Sequence, residues 1–350
     1  MGDKMNQNWQ QFLLQHGATL QDGAVQHFGD FTAELVATSD HTVLCDLSQF
    51  GTLKVAGEES QKFLQNLLSS DINTIKATTA HLSSINSPKG RMLASFLIWQ
   101  QEGSYLLQLP QSLVAAMQKK LSMYVLRSKV KVSDASEELV CLGLAGKDAA
   151  SLLTQQFGTM PEIDWAVTQH DNASIIRLSS QRYQINVSIA QATSIWTSLA
   201  SKAKPVGSGC WDWLSIRAGI PVITPATQEQ FVLQMTNLDL LGGVSFTKGC
   251  YPGQEIVART HYLGKQKRRM FLAHVAAGQA PAAGNEVFNA GTPDQPCGMV
   301  MNASPAPDGG YDLLAVMQLS SYEAKQVHLH SATGAELTFL PLPYAFPVTE

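Results

Sequence analysis

The chain has 350 residues, 45% of them hydrophobic, which is enough for two or three domains of ~100–200 residues with real cores. Charged residues make up only 15% and the net charge is −4, excluding a protein that coats nucleic acid over its whole surface while leaving room for a local basic patch. No apolar run follows the N-terminus or nears the ~18 residues of a membrane span, and the five isolated cysteines form no CxxC or Cys/His cluster, so a cytoplasmic protein without a resident zinc or iron–sulfur site is expected.

In chain order, residues 5–16 carry Trp9, Phe12 and Leu13 at helical spacing, with Gly17 as the stop. Thr42–Ser48 and Leu53–Ala56 read as two strands around a turn at Gln49–Gly51. Gly57-Glu-Glu opens a helix whose acids suit its positive end and whose apolar face is Phe63, Leu64, Leu67 and Leu68. A hairpin follows over residues 80–98, turning at Ser87-Pro-Lys-Gly90, with Met92–Trp99 as its apolar strand. Tyr105–Leu109 is a further strand, Pro110 opens a helix to Leu126, and Lys129–Val132 alternates as a strand.

Residues 134–204 carry a β-α-β-β-α order: Leu139–Leu144, Lys147–Phe157, Ile175–Leu178, Tyr183–Ile189 and Ala190–Lys202. That order predicts a small module of ferredoxin type. Gly143-Leu-Ala-Gly-Lys147 has the wrong glycine spacing for a phosphate loop and is a strand-to-helix turn. Ser208–Arg217 reads as a helix with Trp211 and Leu214 on one side. A long region rich in Gln, Thr and Asn leads to Lys248-Gly-Cys-Tyr-Pro-Gly-Gln-Glu255. From residue 268, short alternating strands punctuated by Gly and Pro predict a small barrel.

The densest chemistry lies in residues 248–255, where two glycines give the backbone unusual freedom to present one thiol. Cys250 in such a loop is either a small buried residue before a strand or a reactive group. Between residues 248 and 269 stand six cations, Lys248, Arg259, Lys265, Lys267, Arg268 and Arg269, against the single acid Glu255. Such a run is a solvated strand edge, or a patch for a phosphate, a polyglutamyl tail or a nucleic acid.

Lys248-Gly-Cys-Tyr-Pro-Gly-Gln-Glu-Ile-Val-Ala-Arg259 closely resembles the Lys-Gly-Cys-Tyr-x-Gly-Gln-Glu signature of the YgfZ family, and Asn237–Phe246 and Ala218-Gly-Ile-Pro-Val extend the likeness. The resemblance implies an α+β, multi-domain fold like that of the glycine cleavage T-protein. Its parts are a folate-binding domain over 1–133 completed by 205–267, an inserted ferredoxin-like module over 134–204, and a C-terminal β-barrel over 268–350. It also implies tetrahydrofolate or a derivative as ligand, and a role in supporting iron–sulfur enzymes such as those that thiolate tRNA, with direct tRNA contact as a further option.

In that reading Cys250 is the reactive residue, as a redox thiol or a transient iron–sulfur ligand. Lys248 and Arg259 favour its thiolate, and Gly249, Tyr251 and Gly253 shape the loop. Trp211, Phe50, Gln254 and Glu255 contact folate. Three departures stand out. The T-protein's catalytic aspartate falls on Ala94 and its next acid on Ser95, so aminomethyl transfer lacks its acid–base group. Phe50 replaces a second tryptophan, keeping a stacking face without the indole N–H. Arg217 stands where relatives carry a glutamate, and cannot accept a hydrogen bond. The alternatives are a folate-dependent one-carbon transferase and a tRNA-binding adaptor without chemistry.

Overall fold

The computed structural model describes residues 5–171, 173–262, 264 and 266–346. The chain forms two compact units, both discontinuous in sequence: Met1–Phe63, Ile72–His81 and Leu97–Trp211 make the first; Leu64–Asp71, Leu82–Phe96 and Asp212–Glu350 make the second.

The first unit holds a six-stranded sheet in the order Val167–His170, Ala173–Ser179, Arg182–Ser188, Leu139–Ala145, Val43–Asp46 and Lys204–Val206, antiparallel except for the last pair. Its core gathers the apolar faces of Gln7–Gln15, Ala149–Phe157 and Ile189–Ala200, with Trp9 set edge-on to Trp196 at 5.6 Å. The first of these helices forms where the sequence places it. Asn6 caps it by accepting from the Asn8 and Trp9 amides, Trp9 and Leu13 share its buried face, and Gly17 at φ +89° ends it.

The predicted β-α-β-β-α order is present, with an added edge strand, Val167–His170. The expected pair around Gln49–Gly51 is not a hairpin. Val43–Asp46 pairs with Leu139–Ala145, whereas Phe50–Ala56 lies between Ser104–Pro110 and Lys131–Asp134 in another sheet. All four residues of Val43–Asp46 are buried, so no polar alternation tells the strand which partner to take. The helix Gln111–Val125 packs on the second sheet.

The second unit contains a six-stranded antiparallel sheet ordered Val327–Leu329, Glu286–Asn289, Thr292–Pro305, Tyr311–Gln318, Arg268–Val275 and Leu337–Leu340. A bridge from His328 to Glu336 draws its edges together, curling it into a half-barrel around Phe271, Val287, Val300, Leu313 and Met317. The Gln/Thr/Asn-rich region is pinned by its own amides. Gln228 donates to the Leu93 carbonyl at 2.7 Å, Gln234 to Val257 at 2.7 Å, and Asn237 to Met270 at 2.8 Å. These side chains do for an irregular segment what a ladder does for a strand. Among the described residues no helix is long and apolar enough to cross a membrane.

Candidate functional site

The loop around Cys250 belongs to the second unit, where it packs against the hairpin turn Ser87–Gly90. That turn is closed by the Ser87 amide on the Arg91 carbonyl (2.8 Å) and the Gly90 amide on the Ser87 carbonyl (2.9 Å). Gly253 sits at φ +79°, and a Cβ there would lie 2.5 Å from the Gly90 Cα and 2.6 Å from the Ser87 oxygen. Only glycine meets both demands. Gly249 is different, because a Cβ there would meet nothing within 4 Å. The loop runs into a helix, Gln254–Tyr262, and not into the strand that the buried-cysteine alternative supposes. The left-handed turn at Gly253 starts it, and Val257 is its buried anchor.

Lys248 is buried, and its Nζ donates to the carbonyls of Leu68 (2.7 Å) and Ser70 (2.8 Å). Burial pulls its pKa down to about 8, with Asp71 working weakly the other way. The ammonium also lies 5.3 Å from the Tyr251 ring centroid. Lys248 thus fastens the loop to residues 68–70, a task sequence proximity to Cys250 did not reveal. Tyr251 is buried with its hydroxyl unpartnered, and burial pushes its pKa up to about 12. Gln254 reaches back to the Lys248 carbonyl at 3.4 Å, and Glu255 and Arg259, one turn apart, are both exposed.

All five cysteines are free, and Cys250 is the one that is exposed. Burial pushes Cys141 up to about 12 and raises Cys297, which leaves both as inert thiols. Cys45 donates to the carbonyls of Asp46 and Gly207. Among the described residues no group of three His, Cys, Asp or Glu side chains is placed to hold a metal ion.

Phe50 and Trp211 belong to the first unit. Phe50 is half-buried and lines a cavity of about 760 Å³ together with Leu47, Ser48, Gln111 and Ala115. The side chains lining that cavity do not include Trp211. Its ring is 3% exposed, packs under Gly143, whose Cβ would fall 2.5 Å from it, and carries the Arg182 guanidinium 4.4 Å from its centroid.

The departures at Ala94, Ser95 and Arg217 lie in the second unit. Ala94 is fully buried, and the Ser95 hydroxyl donates to the Pro221 carbonyl (3.3 Å) and accepts from the Ile223 amide (3.0 Å). Arg217 meets Asp312 at 3.5 Å; the same carboxylate receives the Trp213 indole N–H and the His274 ring, each at 2.9 Å. Asp312 went unnoticed in the sequence because nothing near it signals its role. The basic run is also redistributed. Arg269 is buried in a two-pronged pair with Asp239 (2.7 and 3.0 Å), Lys248 is buried, and Lys265 lies outside the described residues.

Residues 10–241 match the family described as GCVT N-terminal domain. The tRNA-modifying protein YgfZ of Colwellia psychrerythraea is 36% identical over 238 residues, covering 67% of this chain and 72% of that protein. The proteins of the same name from Klebsiella pneumoniae and Yersinia pestis are 30% and 31% identical, covering 86% of this chain and 93% and 92% of theirs. The crystal structure of the glycine cleavage system aminomethyltransferase T from Bartonella henselae superposes with a TM-score of 0.78 at 17% identity, over 95% of this chain and 96% of that one. With a domain match over more than half its length and relatives at 30% identity or above over most of it, the chain belongs to the YgfZ family, built on the fold of aminomethyltransferase T.

Proposed function

We propose that this protein is an accessory factor of YgfZ type. It binds a folate in the cytoplasm and supports the assembly or repair of iron–sulfur enzymes, among them enzymes that thiolate tRNA, with Cys250 as its reactive residue. The observation that carries this reading is the contrast among the cysteines: four are buried, and Cys250 alone is exposed, on a loop held by the Gly253–Gly90 contact and by Lys248. An exposed thiol on a fixed loop can be presented to a partner without the entropy cost of ordering it first. The name shared by the relatives supports a role in tRNA modification. In this reading Cys250 acts as a redox thiol or holds an iron–sulfur cluster transiently, as cargo passing to a client.

The folate assignment rests on the GCVT family relationship and on the cavity beside Phe50. Its volume lies within the ~300–1,000 Å³ of small-molecule sites. Phe50 would stack on the pterin from the cavity wall, and Ser48 and Gln111 would supply hydrogen-bonding atoms. Trp211, buried under Gly143, would support this unit's packing and not touch the ligand. Arg259 is proposed as a cation that favours the Cys250 thiolate. Aminomethyl transfer is disfavoured, because Ala94 offers no acid and the Ser95 hydroxyl is occupied within the backbone.

The test is complementation of a strain lacking its own copy, scored by thiolated tRNA. Cys250→Ala is expected to fail; full rescue would remove Cys250 from the mechanism. Tetrahydrofolate-dependent turnover of an amine donor to methylene-folate or formaldehyde would instead establish the transferase.

A further inference from the structure

Beside the Cys250 loop the second unit carries three aromatic rings that the sequence reading did not connect. Phe246 and His261 stack face to face, with centroids 3.7 Å apart and planes 13° apart. Tyr262 stands edge-on to both, at 73° to Phe246 and 79° to His261. His261 is exposed, and Tyr262 is 64% exposed, among the most exposed large apolar side chains of the described residues. A buried aromatic cluster is ordinary core; an exposed one held in a fixed right-angled arrangement has no packing to explain it. The chain that carries it is cationic. Arg259 is one turn back on the same helix, and Lys267 and Arg268 come five and six residues after Tyr262 in sequence, all three exposed. The one acid between residues 248 and 269 is Glu255.

Aromatic faces set among cations are the recognition chemistry of unpaired nucleotides: bases stack on the rings and phosphates meet the cations. We propose that the Phe246–His261–Tyr262 corner is an RNA-docking surface. In it an unstacked base packs against Tyr262 or the outer face of His261, and Arg259, Lys267 and Arg268 meet the flanking phosphates. The proposal rests on the tRNA-linked reading above and names the surface through which RNA would be met directly. The charges that carry it are the exposed ones, since Lys248 and Arg269 are committed to Leu68, Ser70 and Asp239.

The experiment is titration of the full-length protein against unfractionated tRNA across a salt series, with Tyr262→Ala, Tyr262→Phe and the Lys267→Glu/Arg268→Glu pair, each checked for an unchanged thermal midpoint. Wild type is expected to bind at physiological salt. Tyr262→Ala should bind about ten-fold more weakly with an unchanged salt slope, as the loss of one stacked base predicts, while Tyr262→Phe stays near wild type. The charge reversal should weaken binding and flatten the slope by about 1–2, since each neutralised phosphate of a single strand contributes ~0.7. Absence of tRNA binding by the wild type, or wild-type affinity in both Tyr262→Ala and the charge reversal, overturns the proposal. So does equal or tighter binding to anionic phospholipid vesicles with the same residue dependence. A Cys250→Ala strain separates the two readings. Loss of thiolated tRNA there, with no tRNA binding in vitro, removes the docking surface and leaves the accessory role standing.

Discussion

Gly253 and Gly90 are in close contact, with no room for a side chain on Gly253. A Cβ on Gly253 would lie 2.5 Å from the Gly90 Cα, and one on Gly90 would lie 3.0 Å from the Ile256 Cβ, with both residues at positive φ. The chain thereby seats the turn Ser87–Gly90 against the start of the helix Gln254–Tyr262, two segments remote in sequence. Gly253→Ala should destabilise the protein by roughly 2–4 kcal/mol, combining the left-handed backbone and the clash with backbone atoms. Gly249→Ala, facing open space, should cost less than about 1 kcal/mol. Urea unfolding of the two variants measures the contrast, and equal losses would refute it.

Lys248 predicts an unusual pH dependence. Its pKa is about 8 in the folded protein against 10.5 for the free side chain. Between those values the unfolded chain binds the extra proton and the folded one does not, so stability must rise with pH across that window. Below pH 8 both states are protonated and the cost of burying the ammonium is present in full. The gain is on the order of 3 kcal/mol. It should appear as a stability difference that grows from about pH 8 towards 10.5 when wild type is compared with Lys248→Met, which has nothing to titrate there. A flat difference over that range would place the ammonium outside the buried position described.

The cysteine pattern predicts selective labelling. A thiol-specific reagent added to the native protein should modify one of the five cysteines, Cys250, because the other four are buried. Intact-mass spectrometry should show a single adduct that disappears in Cys250→Ser. A second adduct at equal rate would show that another cysteine is accessible.

Asp312 joins Trp213, Arg217 and His274 at one buried carboxylate. Asp312→Ala removes the acceptor for all three and should cost about 1–3 kcal/mol, mainly in lost hydrogen bonds, because Arg217 and His274 are partly exposed and water can reach them. Thermal unfolding would show a midpoint lowered by several degrees. A change under about 0.5 kcal/mol would mean that water replaces the carboxylate without loss.

Phe50 and Trp211 should behave differently. Phe50→Ala, at the cavity wall, should weaken tetrahydrofolate binding while leaving most stability intact. Trp211→Ala empties a buried site under Gly143 and should cost about 3–5 kcal/mol of stability. Fluorescence titration with a reduced folate, paired with thermal melts, distinguishes them. A Phe50→Ala variant that binds folate as wild type does would move the site away from this cavity.

Many of the helices and strands, the position and family of the Cys250 loop, and the absence of an acid at Ala94 are legible in the sequence. Each of these is written in a few adjacent residues: the Trp9/Leu13 spacing with its Gly17 stop, or the eight-residue run Lys248–Glu255. Tertiary structure alone decided the partner of Val43–Asp46, the helix after Gly253, and which cations of the basic run stay exposed. Those outcomes depend on groups far away along the chain. Val43–Asp46 is buried throughout and carries no local mark of its partner. Lys248 finds its carbonyls 178 and 180 residues away, and Arg269 finds Asp239 thirty residues away. A charge count along the chain registers how many cations are present, but burial and pairing, which are non-local, determine how many remain to face a ligand.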